Sequence, residues 1–219
     1  MTWMRSKLMQ LSAAALLSMA GPAATHPHVF VDGGVDFRFD DQSRLTSLQV
    51  TWLYDEFETL YILANNNLDL TLDGTLSEAD RLTLEQKFSD WPEDFDGSAH
   101  LSHNGAPVGL NWPSDPQVQV VDGRIQAVFD RELQTPLDLA GQEADLAFYE
   151  STYFFAFKIT NTPQLIGETR CAADVIPFKA DAGDASLLAK LASLSREEVP
   201  ENENVGVLFA DRIALTCTR

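Results

Sequence analysis

Apolar and polar positions alternate loosely along residues 28–39, break at Asp40-Asp41-Gln42-Ser43, and alternate again through LTSLQVTWL at 45–53. Period two on both sides of a turn-forming tetrapeptide predicts a β-hairpin. The period then lengthens, because Phe57, Leu60, Tyr61 and Ala64 recur at helical spacing within 54–64. Asn65-Asn66-Asn67 opens a polar loop, and a second helix is expected over about 78–88, carrying Leu82, Leu84 and Phe88. WPEDFD at 91–96 is a turn-rich boundary.

Beyond it, short runs at 100–103, 108–112, 118–121 and 124–129 are punctuated by Gly105 and Asp122-Gly123. Aromatic-rich strand candidates follow at 144–149 and 153–159. Leu187, Leu188, Leu191 and Leu194 share one face of a helix over 184–194, a core-packing stripe for which Asp184 is the expected N-cap. Runs at 205–210 and 212–216 close the chain. The expected architecture is α+β: a single, mainly antiparallel β domain over 26–219, with a helical pair inserted at about 54–90.

The first twenty-five residues stand apart from that domain. Arg5 and Lys7 form a positive segment, LMQLSAAALLSMA at 8–20 is apolar but too short to span a bilayer, and small residues follow. This is the pattern of a secretory signal peptide, which places the rest of the chain in the periplasm. Cleavage could follow Ser18-Met19-Ala20, Gly21-Pro22-Ala23 or Ala23-Ala24-Thr25, and the last would make His26 the new N-terminus.

Charge narrows the function classes. Of 219 residues, 33 are Asp or Glu and 15 are Lys or Arg, a formal charge of −18. Loss of Arg5 and Lys7 makes it about −20. So negative a surface repels phosphate backbones and anionic lipid, so neither nucleic-acid binding nor membrane insertion is expected. Cations and basic surfaces are favoured as partners. In an oxidising compartment Cys171 and Cys217, the two cysteines of the chain, are expected to pair. Paired thiolates for zinc would more usually be spaced as CxxC.

Between the two inserted helices lies DLTLDGTLSEAD. Its grammar is that of an EF-hand loop, with Asp69, Thr71 and Asp73 at positions one, three and five and Gly74 at the sharp turn. Thr75 would offer its carbonyl at seven, Leu76 the apolar anchor, Ser77 position nine and Asp80 position twelve. Thr71 stands where a carboxylate is usual, Leu70 and Leu72 are unusually apolar, and Asp80 is shorter than the customary Glu. The competing account is a plain helix start, with Ser77 as N-cap and Asp80 completing a capping pair.

Two of the four histidines occur in His26-Pro27-His28, followed by Val-Phe-Val-Asp32. On an extended segment His26, His28 and Asp32 share parity, and Pro27 disfavours helix at His26. Imidazoles so placed suit Zn²⁺, Ni²⁺, Co²⁺ or copper. Two imidazoles bind weakly, so a further ligand is needed, from Asp32 or from Glu56, His100 or His103 if the fold brings one in. An N-terminal His26 could add its α-amine and complete a copper brace, whereas the square-planar amino-terminal motif is barred because Pro27 has no amide proton. His100 and His103, three apart in a strand, are expected to face opposite ways. No GxSxG, HExxH, P-loop or dinucleotide fingerprint occurs, and no catalytic residue is marked out.

HPHVFVD at 26–32, WLYDEF at 52–57, the loop with its LSEAD exit and FYESTYFFAF at 148–157 together resemble a bacterial family, domain of unknown function 1007. Its members are described as periplasmic components of an uncharacterised ABC-type transport system. The resemblance spans most of the chain after the leader. It implies an exported protein starting near the HPH, encoded beside nickel/cobalt-type exporters, with His26 and His28 as metal ligands and Asp69, Asp73 and Asp80 as calcium ligands. The expected function is therefore a periplasmic metal-binding accessory to a membrane metal transporter, not an enzyme. The alternatives are a calcium-stabilised module that docks on a transporter without cargo and, third, a copper-brace oxidative enzyme.

Overall fold

The computed structural model describes residues 26–92, 95–167, 169–195, 198–200 and 204–219; the expected leader lies outside them. The hairpin forms as the alternation predicts, from β1 (Val29–Phe39) and β2 (Arg44–Tyr54). Asp40 closes its turn, its carboxylate accepting the N–H groups of Gln42 (3.0 Å) and Arg44 (2.9 Å). Odd positions of β1 face inward, from Val29 to Phe39. In β2 both Leu45 and Leu48 are buried, because a register shift between Leu45 and Ser47 switches the parity.

Helices α1 (Glu56–Asn65) and α2 (Glu78–Lys87) follow, then β3 (Ala99–His103), β4 (Ala106–Pro107), β5 (Ser114–Val121), β6 (Arg124–Asp138) and β7 (Glu143–Phe148). The chain continues through β8 (Phe155–Ile159), β9 (Leu165–Ile166), β10 (Cys171–Ile176), α3 (Ala182–Leu191), a 3-10 turn at Val205–Phe209 and β11 (Asp211–Cys217). One sheet has the order β5-β6-β2-β1-β8, with β9 also on β1; the other runs β10-β11-β7-β3-β4. The core joins them: Phe37, Leu48 and Phe129 of the first sheet and Phe148, Ile213 and Leu215 of the second are all buried. At Gly33 the sheets come so close that a Cβ would lie 2.6 Å from the Phe148 ring of the other sheet. No helix among the described residues is long and apolar enough to cross a membrane.

Several details depart from the sequence reading. The first sheet is mixed, since β8 and β9 both lie parallel to β1. Residues 108–112 form no strand and contribute a single bridge, Leu110 to Leu133. The run at 205–210 forms the 3-10 turn, and β9 and β10 lie outside the runs expected from the sequence. The N-cap of α3 is Asp181, whose carboxylate accepts the N–H groups of Gly183 and Asp184 (2.6 and 3.1 Å). Asp184 answers by accepting the Asp181 N–H at 2.7 Å, a reciprocal capping box. The leucine stripe does pack inward: Leu191 is buried with Val205 and Phe209, and Leu187, Leu188 and Leu194 pack against them. Cys171 and Cys217 face one another across β10 and β11 and form the expected disulfide.

Candidate functional site

The two histidines meet where β1 begins. The His28 N–H donates to the Phe154 carbonyl at 2.9 Å, extending the parallel seam between β1 and β8 by one step. The His26 N–H donates to the Leu191 carbonyl at the end of α3 (3.3 Å). So anchored, the imidazoles contact edge to face, centroids 4.7 Å apart, with the Phe154 ring 5.1 Å from His28 and 6.0 Å from His26.

His26 is 4% exposed, and its Nδ1 is buried with no hydrogen-bond partner among the described residues. Burial lowers its pKa below the ordinary histidine value, against the raising influence of Glu150 and Glu198. The lowered value favours the neutral ring, the form that ligates metal.

Asp32 keeps the expected parity with His28. Both line a cleft of about 570 Å³ with Phe30, Asp55, Glu56, Phe57 and Arg124. The Asp32 carboxylate, however, accepts Arg124 Nη1 at 2.9 Å, while the same guanidinium holds the Leu53 and Tyr54 carbonyls. His26, His28 and Asp32 are therefore not gathered round one point. Among the described residues, no three of His, Cys, Asp and Glu converge closely enough to hold a metal ion.

His100 and His103 lie on β3 in the second sheet. His100 stacks on Tyr149 (3.9 Å), and its Nε2 is 3.0 Å from the Tyr149 carbonyl and 3.5 Å from Asp96. His103 Nε2 is 2.9 Å from Gln142 Oε1. Neither joins the N-terminal pair. Glu150 and Glu198, which act on His26, escaped sequence reasoning because each is one acid among 33 and neither is near His26 in the chain.

The DLTLDGTLSEAD segment does connect two helices, but it closes on itself. The Thr71 N–H donates to the Thr75 carbonyl (2.8 Å) and the Gly74 N–H to the Thr71 carbonyl (2.9 Å), with Gly74 at φ +76°. Asp73 Oδ1 accepts from the hydroxyls of Thr71 and Thr75, which lowers the Asp73 pKa. Asp69 is exposed, and Asp80 is engaged with Ser77: the Ser77 hydroxyl donates to Asp80 Oδ2 (2.7 Å) and accepts the Asp80 N–H (3.2 Å). The second of these is the N-cap bond that the capping account requires, but it is the Ser77 hydroxyl that donates to Asp80, where a reciprocal capping pair would use the Ser77 N–H.

Comparison with known proteins gives a relationship without an activity. An uncharacterised protein of Haemophilus influenzae is 22% identical over 195 residues, covering 88% of this chain and 91% of its own. Among solved structures, AChBP from Bulinus truncatus superposes over 97% of this chain and 96% of its own at 12% identity, with a TM-score of 0.36. A superposition that loose assigns no fold. Residues 11–217 match the family described as protein of unknown function, DUF1007, and the chain belongs to that family.

Proposed function

We propose that the chain is a periplasmic metal-binding accessory of a membrane metal-transport system, with His26 and His28 as the core of a site for Zn²⁺, Ni²⁺, Co²⁺ or Cu²⁺. One observation carries this reading: two imidazoles in contact at 4.7 Å, one of them buried, favoured neutral and with an unmet Nδ1. Oxygen ligands for the remaining positions come from the cleft beside His28, where Asp32 and Glu56 lie. Asp32 would have to exchange Arg124 for the ion, so binding requires a local rearrangement. Export and the link to a transporter rest on the leader-like N-terminus and on the family resemblance.

Calorimetry in about 0.5 M NaCl, where surface attraction is largely screened, tests the reading. Wild type should bind a transition metal, and His26→Ala/His28→Ala should not. His28→Gln, which leaves the buried ring in place, should weaken binding without unfolding the protein. Equal affinity in all three proteins refutes the proposal.

A second reading has its own support. The stripe that marks α1 in the sequence is turned outward: Phe57 is 84% and Leu60 63% exposed, and Phe30 (56%) lines the same cleft as Phe57. An apolar face on so acidic a protein suits docking against a transporter, with Ca²⁺ in the loop from Asp69 to Asp80 steadying the helices. Transporter association that survives loss of both histidines favours this module.

A further inference from the structure

A separate cavity of about 340 Å³, with neither His26 nor His28 in its lining, is walled by residues of β2, β8 and the 91–98 and 150–151 segments. Its walls are aromatic. Trp52 and Tyr54 come from β2 and Phe155 from β8, and Trp91 stacks on Phe95 with centroids 4.1 Å apart and planes 14° from parallel. Trp52 is the hub, with the Trp91, Phe95 and Tyr54 rings 5.9, 5.7 and 6.0 Å away. Its Nε1 is buried with no hydrogen-bond partner among the described residues.

Two acids complete the lining, Asp96 and Glu150. Both are held in position. Glu150 accepts the N–H groups of Thr152 (2.8 Å) and Phe154 (2.9 Å), and Asp96 accepts that of Ser98 (2.9 Å). Asp96 already feels the buried Arg131 guanidinium, which also donates to its backbone carbonyl, and lies 3.5 Å from His100 Nε2, whereas Glu150 forms no ion pair with a Lys or Arg among the described residues.

Ring faces carry negative electrostatic potential and attract cations that water solvates weakly. Anions are repelled by the two carboxylates, and a hard metal ion finds too few oxygens among the rings. A neutral apolar guest would satisfy the rings but gain nothing from the two carboxylates in the lining. We propose that this cavity binds a small organic cation of the alkylammonium class, its charge seated among the rings and balanced by Asp96 and Glu150. An oxygen on the same ligand can meet the unpaired Trp52 N–H. The volume lies at the low end of the range for small-molecule sites and fits a compact ligand. This inference does not rest on the metal reading.

Choline is the probe, and 3,3-dimethyl-1-butanol is its neutral isostere. Titration is followed by calorimetry and by tryptophan fluorescence in about 0.5 M NaCl, which screens diffuse attraction. Choline should bind saturably, and the isostere roughly tenfold more weakly, the size expected of a desolvated cation–π contact. Trp91→Ala should lower choline affinity by about tenfold, and Trp91→Phe by less. Asp96→Asn, which keeps an acceptor for Ser98, should weaken choline and leave the isostere unchanged. Absence of saturable choline binding, equal binding of the isostere, or indifference to both Trp91→Ala and Asp96→Asn overturns the proposal.

Discussion

Phe30 and Asp55 exchange hydrogen bonds: the Asp55 N–H donates to the Phe30 carbonyl at 2.9 Å, and Asp55 Oδ2 accepts the Phe30 N–H at 2.7 Å. The other carboxylate oxygen accepts the Glu58 N–H at 2.9 Å and caps α1. One side chain thus fixes the helix start and ties it to the strand that begins beside the histidines. Asp55→Ala should cost about 1–2 kcal/mol, the range for a lost N-cap. Asp55→Asn, still an acceptor, should cost less. Urea unfolding of the three proteins measures it, and an unchanged midpoint in the alanine variant would contradict the assignment.

The disulfide makes a second prediction. Cys171 and Cys217 are 46 positions apart, so the bond closes a long loop of the unfolded chain. Cys171→Ala/Cys217→Ala should lower stability by at most about 4 kcal/mol. Thiol titration of denatured, unreduced protein should find no free thiol. Two free thiols would show that the bond is absent from the protein as isolated.

Calcium offers a third. If the loop from Asp69 to Asp80 takes Ca²⁺, millimolar Ca²⁺ should raise the melting temperature through binding to the folded state. Asp69→Ala/Asp73→Ala should lose that increment. The bonds that Thr71 and Thr75 make to Asp73 must reorganise for binding, so weak affinity is expected. Equal increments in both proteins would leave only the Ser77 cap to explain the loop.

A fourth concerns pH. Burial holds the His26 pKa below its ordinary value, so the folded state binds that proton less tightly than the unfolded chain. The stability contribution is therefore complete above about pH 6.5 and begins to fall as pH drops below that value. The loss is complete once His26 protonates in the folded protein. Between pH 7.5 and 5 the wild type should lose more stability than His26→Phe, which cannot take up the proton. Matching losses would show that His26 is not the group responsible.

The hairpin and both inserted helices were legible because their signals are local: a period of two around Asp40, then the helical spacing of Phe57, Leu60, Tyr61 and Ala64, and Ser77 at the second helix start. Which side of α1 faces inward was not. Thr59 is buried there because its hydroxyl accepts the Ile125 N–H at 3.0 Å, while the apolar Phe57 and Leu60 remain outside. A contact across 66 positions overrides hydropathy, and no window along the helix contains it. β10 escaped notice for a different reason: it alternates between half-buried and exposed positions, with no fully buried residue to mark it. At the site, the pairing of His26 with His28 could be read from HPH, but the Arg124 that occupies Asp32 comes from β6 and could not.

The parallel register that sets Val29 against Phe155 has a consequence for the order of events during folding. The strand completing the first edge of β1 lies well over a hundred residues further along the chain, and pairings that distant pay their closure entropy late. Until that strand arrives, His28 has no Phe154 carbonyl to hold, and until α3 arrives, His26 has no Leu191 carbonyl. A fragment ending before residue 150 keeps both histidines in its sequence yet cannot build their corner. The geometry of residues 26–28 is thus set by residues 154 and 191, which makes the histidine pair a marker that folding has reached as far as α3.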